Sequence, residues 1–373
     1  MPKPLQMMML FSRESSNSPR VTGGVGKLRL RDCNLEKKYW KGVGSIVFRT
    51  EITQLLGIKY PIIMGSMHWI TDAKLSAAVS KAGGLGIISS ARFKDGDELR
   101  EEIRKAKQLT DKPLGVNISL NRATALAPNT EFIQAVIEER IPVVETAGVR
   151  SPEEVIYPLH AAGIKVIHKV ASIKHAIKAE QCGADAVEVV GFANGGNVGM
   201  DDVSTTVLVP RAKDVLKIPI IAGGGIADAR GFLAALALGA EGVVVGTRFM
   251  ATLESPVHFK FKQWLLDSQE NQTVLVQRSI RNTHRTLIND AVRHVLEMEE
   301  RGAGLEELRP WISGEKYRRC IIEGRLQEGM AYCGQAVGLI NDIPSVSTVV
   351  DSFIKGAREI GERLIAMGLW IPS

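Results

Sequence analysis

From Glu51 onward the chain alternates between two patterns. Short runs rich in Val and Ile, apolar at nearly every position, are followed by longer stretches in which apolar residues recur at helical spacing. Strands buried on both faces read as continuous apolar runs, and strict βα alternation implies a parallel sheet. Eight strands are expected, at Tyr60–Gly65, Leu85–Ser90, Leu114–Ser119, Val143–Gly148, Lys165–Val170, Ala186–Gly191, Pro219–Gly224 and Gly242–Thr247. The pattern predicts helices between them, at Asp72–Ala82, Asp97–Leu109, Thr130–Glu139, Pro152–Ala162, Ser172–Cys182, Ser204–Leu216 and Ala227–Leu238. Asp72, Ser151 and Ser172 stand where capping side chains belong, and Gly83, Gly163, Gly183 and Gly239 where helices stop. Eight units fit a closed α/β barrel, the (β/α)8 TIM barrel, better than the alternative, an open doubly wound sheet.

The last helix does not follow the eighth strand directly. Residues 253 to 327 are charged and read as helical, and Val346–Met367 supplies a closing amphipathic helix. Four parts are therefore expected. Residues 1–48 show no sustained period and form an arm that packs on the barrel or on another subunit. Residues 49–252 are the barrel. Residues 253–327 are a helical insert between the eighth strand and the last helix, on the face where barrel active sites lie. Residues 328–373 close the fold.

Composition narrows the function classes. Of 373 residues, 45% are hydrophobic, enough for a sizeable core, yet no apolar run reaches membrane-spanning length. The formal net charge of +6 comes largely from the first fifty residues. It is joined by no nucleic-acid motif and no basic stripe interleaved with aromatics, so it reads as an ordinary solvated surface. Cys33, Cys182, Cys320 and Cys333 have neither zinc nor redox spacing, which predicts free thiols and no metal site. The run Met7–Phe11 is too short for a signal-peptide core. The expectation is a cytoplasmic protein with a small-molecule substrate and no nucleic-acid or membrane partner. A homodimer is the candidate assembly.

Two Gly-rich corners carry the first chemistry. Ile221 to Asp228 contains Gly223, Gly224 and Gly225, and Val244 to Phe249 contains Gly246 and Thr247. They end the seventh and eighth expected strands, where many barrels bind phosphate. Glycine lets backbone N–H groups approach an anion, and Thr247 adds a hydroxyl. Gly83–Gly86 lies at the opposite end of the barrel and reads as a helix stop with close packing.

Further motifs carry a specific resemblance. Tyr60 to Met67, Ala82 to Gly86, Gly115-Val116-Asn117, Gly191 to Gly199, Ala222 to Ile226, Val244 to Thr247 and Gly334 to Ile340 follow one another at a familiar spacing. Over residues 50 to 373 the chain resembles the nitronate monooxygenases and the related FMN-dependent enoyl-(acyl carrier protein) reductases. The resemblance implies FMN. It places Gly65, Ser66 and Met67 against the isoalloxazine, Asn117 and Lys169 at its polar groups, and Val190, Gly195 and Gly196 beside the cofactor. Gly224, Gly225, Gly246 and Thr247 would hold its phosphate. One position departs from the family. The motif after the sixth strand commonly ends Gly-Gly-His-x-Gly, with the His as catalytic base; here it is Gly195-Gly196-Asn197-Val198-Gly199. An amide cannot take a proton near neutral pH. Deprotonating a neutral nitroalkane at carbon is expected to be poor, whereas oxidising an already anionic nitronate needs no base. His68, after Met67, is the candidate substitute; His160, His168 and His175 are expected to point elsewhere. Asp201 and Asp202 follow the Gly-rich loop and could face the pocket, but helix entry is the role expected of them.

The leading expectation is an FMN-dependent, nitronate monooxygenase-like enzyme that oxidises alkyl nitronates with O2. The alternatives are an NAD(P)H-dependent flavin reductase of enoyl thioesters or quinones, a flavin-binding protein without turnover, and a sugar-phosphate barrel outside flavin chemistry.

Overall fold

The computed structural model describes residues 48–120, 129–148 and 150–369. The chain divides after residue 46, and all described residues belong to the second compact unit. The expected arm, apart from Phe48, lies outside them. Phe48 itself packs edge-on against Tyr60 and Phe232, with ring centroids 6.1 and 5.6 Å away.

Eleven strands run in chain order among the described residues. They are β1 Ile62–Met64, β2 Gly86–Ser89, β3 Leu114–Ser119, β4 Val143–Ala147, β5 Lys165–Val170, β6 Ala186–Val190, β7 Gly196–Asn197, β8 Ile220–Gly223, β9 Gly242–Val245, β10 Thr273–Val276 and β11 His284–Leu287. Eight form one parallel sheet in the order β1-β9-β8-β6-β5-β4-β3-β2. Its two ends meet. Ile63 bridges Leu85, the Met64 N–H donates to the Leu85 carbonyl at 2.9 Å, and the Leu85 N–H donates to the Ile62 carbonyl at 2.9 Å. The sheet is therefore the closed (β/α)8 barrel, with each expected strand present; Leu114–Ser119 and Lys165–Val170 keep their expected bounds and the other six are shorter by one to three residues.

Alternation along the strands sorts side chains into two cores. Ile63, Leu85, Ile87, Val143, Ile167 and Ile221 pack inside the barrel, stoppered at its N-terminal mouth by Ile52, Leu56 and Ile58. Val116, Ile118, Val144, Val166, Val187 and Val189 face outward against the helices. The helix Val346–Ala366 packs on Ala229–Ala237 and completes the outer ring. At Gly86 an added Cβ would stand 1.9 Å from the Ser76 carbonyl oxygen, so this glycine is the close-packing position expected at the stability face.

The insert after β9 contains the expected helices, Phe259–Asp267, Asp290–Glu300, Leu305–Ile312 and Gly314–Ile321. It also contains the antiparallel hairpin β10–β11, which the helical reading did not foresee. β11 pairs in turn with β7, with His284 opposite Asn197 and Arg285 opposite Gly196. The insert is thus stitched to the loop that follows β6.

Candidate active site

The C-terminal strand ends, the β6 loop and the insert enclose a cavity of about 1430 Å³. The candidate cofactor and catalytic residues read from the sequence lie along it: Gly65, Ser66, Met67, His68, Asn117, Lys169, Val190, Gly195, Gly196, Asn197, Gly224, Gly225, Gly246 and Thr247 all line its wall.

The floor is a buried polar cluster. β3, β4, β5 and β6 are neighbours in the sheet, and their inward positions bring Asn117, Glu145, Lys169 and Glu188 together. The Lys169 ammonium is 2.8 Å from Glu145 Oε1, and Asn117 Nδ2 donates to Glu145 Oε2 at 3.0 Å. Glu145 and Glu188 are completely buried. Burial opposes the Lys169 charge, but the Glu145 and Glu188 carboxyls outweigh it and hold its pKa above the ordinary lysine value. Burial, followed by the charge of Glu145, pushes the Glu188 carboxyl well above the usual carboxylate range. The folded state therefore favours the protonated form of Glu188, and neither of its oxygens accepts a hydrogen bond from the described residues. A protonated carboxyl beside an ionised one is how two adjacent acids coexist when only one cation serves them.

The two glycine corners lie side by side, since β8 pairs with β9. Gly224 and Gly225 have φ of +93° and +82°, a region that side chains rarely adopt. The β6 loop lies tightly against this corner, with the Gly191 carbonyl oxygen 2.8 Å from where a Gly224 Cβ would stand. Thr247 Oγ1 accepts from the Gly334 N–H at 2.9 Å, so its own hydroxyl hydrogen is left to donate. The helix Ala229–Ala237 that follows is already capped by Asp228, whose carboxylate accepts from the Arg230 and Gly231 N–H groups. The donors that remain open at this corner are therefore those of the glycine loop and the Thr247 turn, not those of that helix.

His68, His168, His175 and His284 all line the cavity, and their partners separate them. His68 stacks on Trp69 with centroids 4.8 Å apart, and its buried Nε2 has no hydrogen-bond partner. Burial takes its pKa down to about 4. His168 points to the outer face, Nδ1 2.8 Å from Thr146 Oγ1, and His160 pairs with Asp185 at 2.8 Å. His175 meets Ser172 Oγ at 2.9 Å. Asn197 is held by the loop itself: Oδ1 accepts from the Gly199 N–H at 3.2 Å, and Nδ2 donates to Asn282 Oδ1 at 3.4 Å. Asp202 does not serve helix entry as expected. Its carboxylate pairs with Arg278 of the insert at 2.7 Å, while Ser204 occupies the N-cap of the next helix.

Residues 49–356 match the family model described as nitronate monooxygenase. The chain belongs to the nitronate monooxygenase family. It is accordingly an oxidoreductase. A "Probable nitronate monooxygenase" of Staphylococcus aureus is 34% identical over 269 residues, covering 61% of this chain and 75% of that protein. An octahydro-indene-carboxyl-CoA dehydrogenase of Rhodococcus jostii is 34% identical over 356 residues, covering 86% of this chain and 98% of its own length. Among solved structures, FabK from Thermotoga maritima is 39% identical with a TM-score of 0.78, covering 86% of this chain and 99% of that one.

Sequence reasoning about this nitronate monooxygenase family member missed Glu145 and Glu188. The signal was present: each is a lone acid inside an otherwise apolar strand, two residues from an inward Val or Ala. An acid in such a run, at an inward position, has to be paired or protonated. It set the insert on the active-site face but named none of the residues there, missing Gln277 and His284 of the insert and Tyr332 of the closing segment, which line the cavity. Among the described residues, no helix is long and apolar enough to cross a membrane.

Proposed function

We propose that the cavity holds FMN and oxidises an alkyl nitronate, with O2 as the final electron acceptor. The observation that carries this reading is the joining, in one cavity, of a glycine corner suited to phosphate with a lysine ammonium set in the floor. The fit can be judged from the wall itself. Gly196 has no atom within 4 Å of where a Cβ would stand, and Gly246 has only Met67 Sδ, at 3.7 Å. Both glycines leave open space that a flat ring system and its chain can fill.

Gly224, Gly225, Gly246 and Thr247 would hold the phosphate through backbone N–H groups and the Thr247 hydroxyl. Gly65, Ser66 and Met67 would lie along the ring, with Asn117, Val190, Gly195 and Gly196 around it. When bound, FMN supplies a two-electron acceptor that can be reoxidised by O2. The chain's own residues orient the substrate and keep positive charge near the ring. Lys169 serves that end from the floor, fixed by Glu145. A nitronate arrives already ionised, so the amide of Asn197 need not take a proton; it can donate a hydrogen bond to a nitronate oxygen. On this reading the chain works in the cytoplasm, and a homodimer is its proposed assembly.

A second reading has a specific observation in its favour. The Rhodococcus jostii relative acts, by its name, on a carboxyl-CoA compound. The cavity of about 1430 Å³ also exceeds what a small nitronate needs, and Arg150, Lys174, Lys178, Arg281 and Arg309 border it. An NAD(P)H-dependent flavin reductase of thioesters would use that room and charge. Oxygen uptake separates the two. The nitronate reading expects rapid O2 consumption when an alkyl nitronate is added to the purified protein in air, and none with NADPH alone. Uptake with NADPH and none with the nitronate would transfer the assignment to the thioester reductase.

A further inference from the structure

The cavity contains an imidazole beside the position of the missing family histidine, on an element remote in sequence. His284 opens β11 directly across the antiparallel pairing from Asn197. Residues opposite one another in such a ladder project from the same face of the sheet. The Asn197 amide accordingly reaches Asn282, two residues before His284 on the same strand side, and His284 itself lines the cavity. The replacement ring therefore stands one strand away from where the family's own ring would be.

Its chemistry is set by its neighbours. His284 Nδ1 lies 2.6 Å from the Asn282 carbonyl oxygen. A carbonyl oxygen only accepts, so the ring hydrogen resides on Nδ1 and donates to it. In the neutral ring this leaves the lone pair on Nε2, the form a general base requires. Burial keeps the ring's pKa below that of an ordinary histidine, which maintains the neutral form at physiological pH. The ring cannot swing freely. It packs against Tyr332, centroids 5.0 Å apart, and the Tyr332 hydroxyl accepts from Gln277 Nε2 at 2.9 Å. The Gln277 N–H is in turn anchored to Glu299 Oε2 at 2.6 Å. His68, the candidate suggested by sequence, also lines the cavity, but its Nε2 is buried without a hydrogen-bond partner and its ring stacks on Trp69.

We propose that His284 Nε2 is the proton acceptor that replaces the family histidine, so that this cavity also activates neutral nitroalkanes. The inference rests on the proposal that the cavity takes nitro compounds. In the step, the C–H bond next to the nitro group breaks and an N–H bond forms at Nε2. The electron pair left on carbon moves into a C=N bond, and the negative charge settles on the nitro oxygens. Nothing is oxidised or reduced, and the product is the nitronate itself.

The test follows hydrogen exchange, which needs no flavin turnover. The purified protein, kept anaerobic, is mixed with nitroethane in D2O, and loss of the α-hydrogen signal is followed by proton NMR. The same preparation is assayed in air for oxidation of preformed ethyl nitronate. Wild type should exchange the α-hydrogen well above buffer. In H284N, whose amide can still donate to the Asn282 carbonyl, the ratio of exchange to nitronate oxidation should fall tenfold or more. His160→Gln, on an outer helix, should leave that ratio unchanged. No exchange above buffer in wild type, or an unchanged ratio in H284N, overturns the proposal. Exchange that persists without any nitronate oxidation would count against the proposed function and not against His284. If H284N does not fold, nitrogen-15 NMR of wild type decides: an unprotonated His284 Nε2 at neutral pH is required, and a protonated one overturns the assignment.

Discussion

Lys169→Met is expected to lower the stability of the protein by about 3–5 kcal/mol, the usual consequence of stranding one partner of a buried ion pair. Glu145 is completely buried, and Lys169 Nζ at 2.8 Å is the cation that faces it. Without the ammonium, Glu145 must either stay ionised in a dry interior beside Glu188 or take up a proton at neutral pH. Asn117 Nδ2, at 3.0 Å, supplies a hydrogen bond but no charge. The double variant Glu145→Gln with Lys169→Met should recover most of the loss, because a neutral amide needs no counter-ion. Urea denaturation of the two single variants and the double variant checks this. A Lys169→Met loss below about 1 kcal/mol, the range of exposed ion pairs, would mean that the floor is hydrated.

Glu188 supplies the contrast within the same cluster. Its folded pKa is raised, so the folded state prefers the protonated acid. That preference costs no stability below the ordinary glutamate pKa. Stability is lost as pH rises above it, because only the unfolded chain releases the proton. Glu188→Gln replaces a carboxyl whose protonated form the folded state already favours. It is expected to be tolerated and to flatten the decline of stability between acid and neutral pH. Destabilisation by Lys169→Met together with tolerance of Glu188→Gln is the pattern expected when Glu145 depends on the lysine and Glu188 on its own proton.

Gly224→Ala is expected to cost about 2–5 kcal/mol, combining a left-handed backbone position with an overpacked one. The φ is +93°, and the new Cβ would lie 2.8 Å from the Gly191 carbonyl oxygen and 3.1 Å from the Asn194 nitrogen. Both neighbours are backbone, so neither can rotate away. Relief requires the β6 loop to move away from the β8 corner, which separates the segments proposed to enclose the phosphate. The purified variant should carry at least tenfold less bound flavin than wild type, measured by absorbance per protein. Full flavin occupancy in Gly224→Ala would place the phosphate elsewhere.

Much of this architecture was legible in the chain. The barrel strands are buried on both faces, so each announces itself as an apolar run, and glycines such as Gly83 and Gly183 punctuate the helices. The two glycine corners were legible because their place at the seventh and eighth strands gives weak Gly motifs a shared meaning, and the phosphate role read from them is a proposal. The hairpin was not. Thr273–Val276 and His284–Leu287 are short and flanked by polar residues, and they become strands only by pairing with each other and with Gly196–Asn197, almost ninety residues upstream. Local pattern carries no record of such a partner. The same long-range pairing kept His284 out of view, although the substitution at Asn197 was plain. Lys169 was expected to serve a ligand. Its pairing with Glu145 depends on register between β4 and β5, which turns a strand-end lysine into part of a buried floor. The Asp202 reading failed for a related reason: its partner, Arg278, belongs to the insert.

The central claim is best tested by the visible spectrum of the purified protein under anaerobic conditions, before and after addition of ethyl nitronate. The account expects a bound flavin, released by heat as FMN, whose absorbance bleaches when the nitronate is added and returns on admitting air. A colourless protein, or a flavin that the nitronate leaves unbleached, would contradict it.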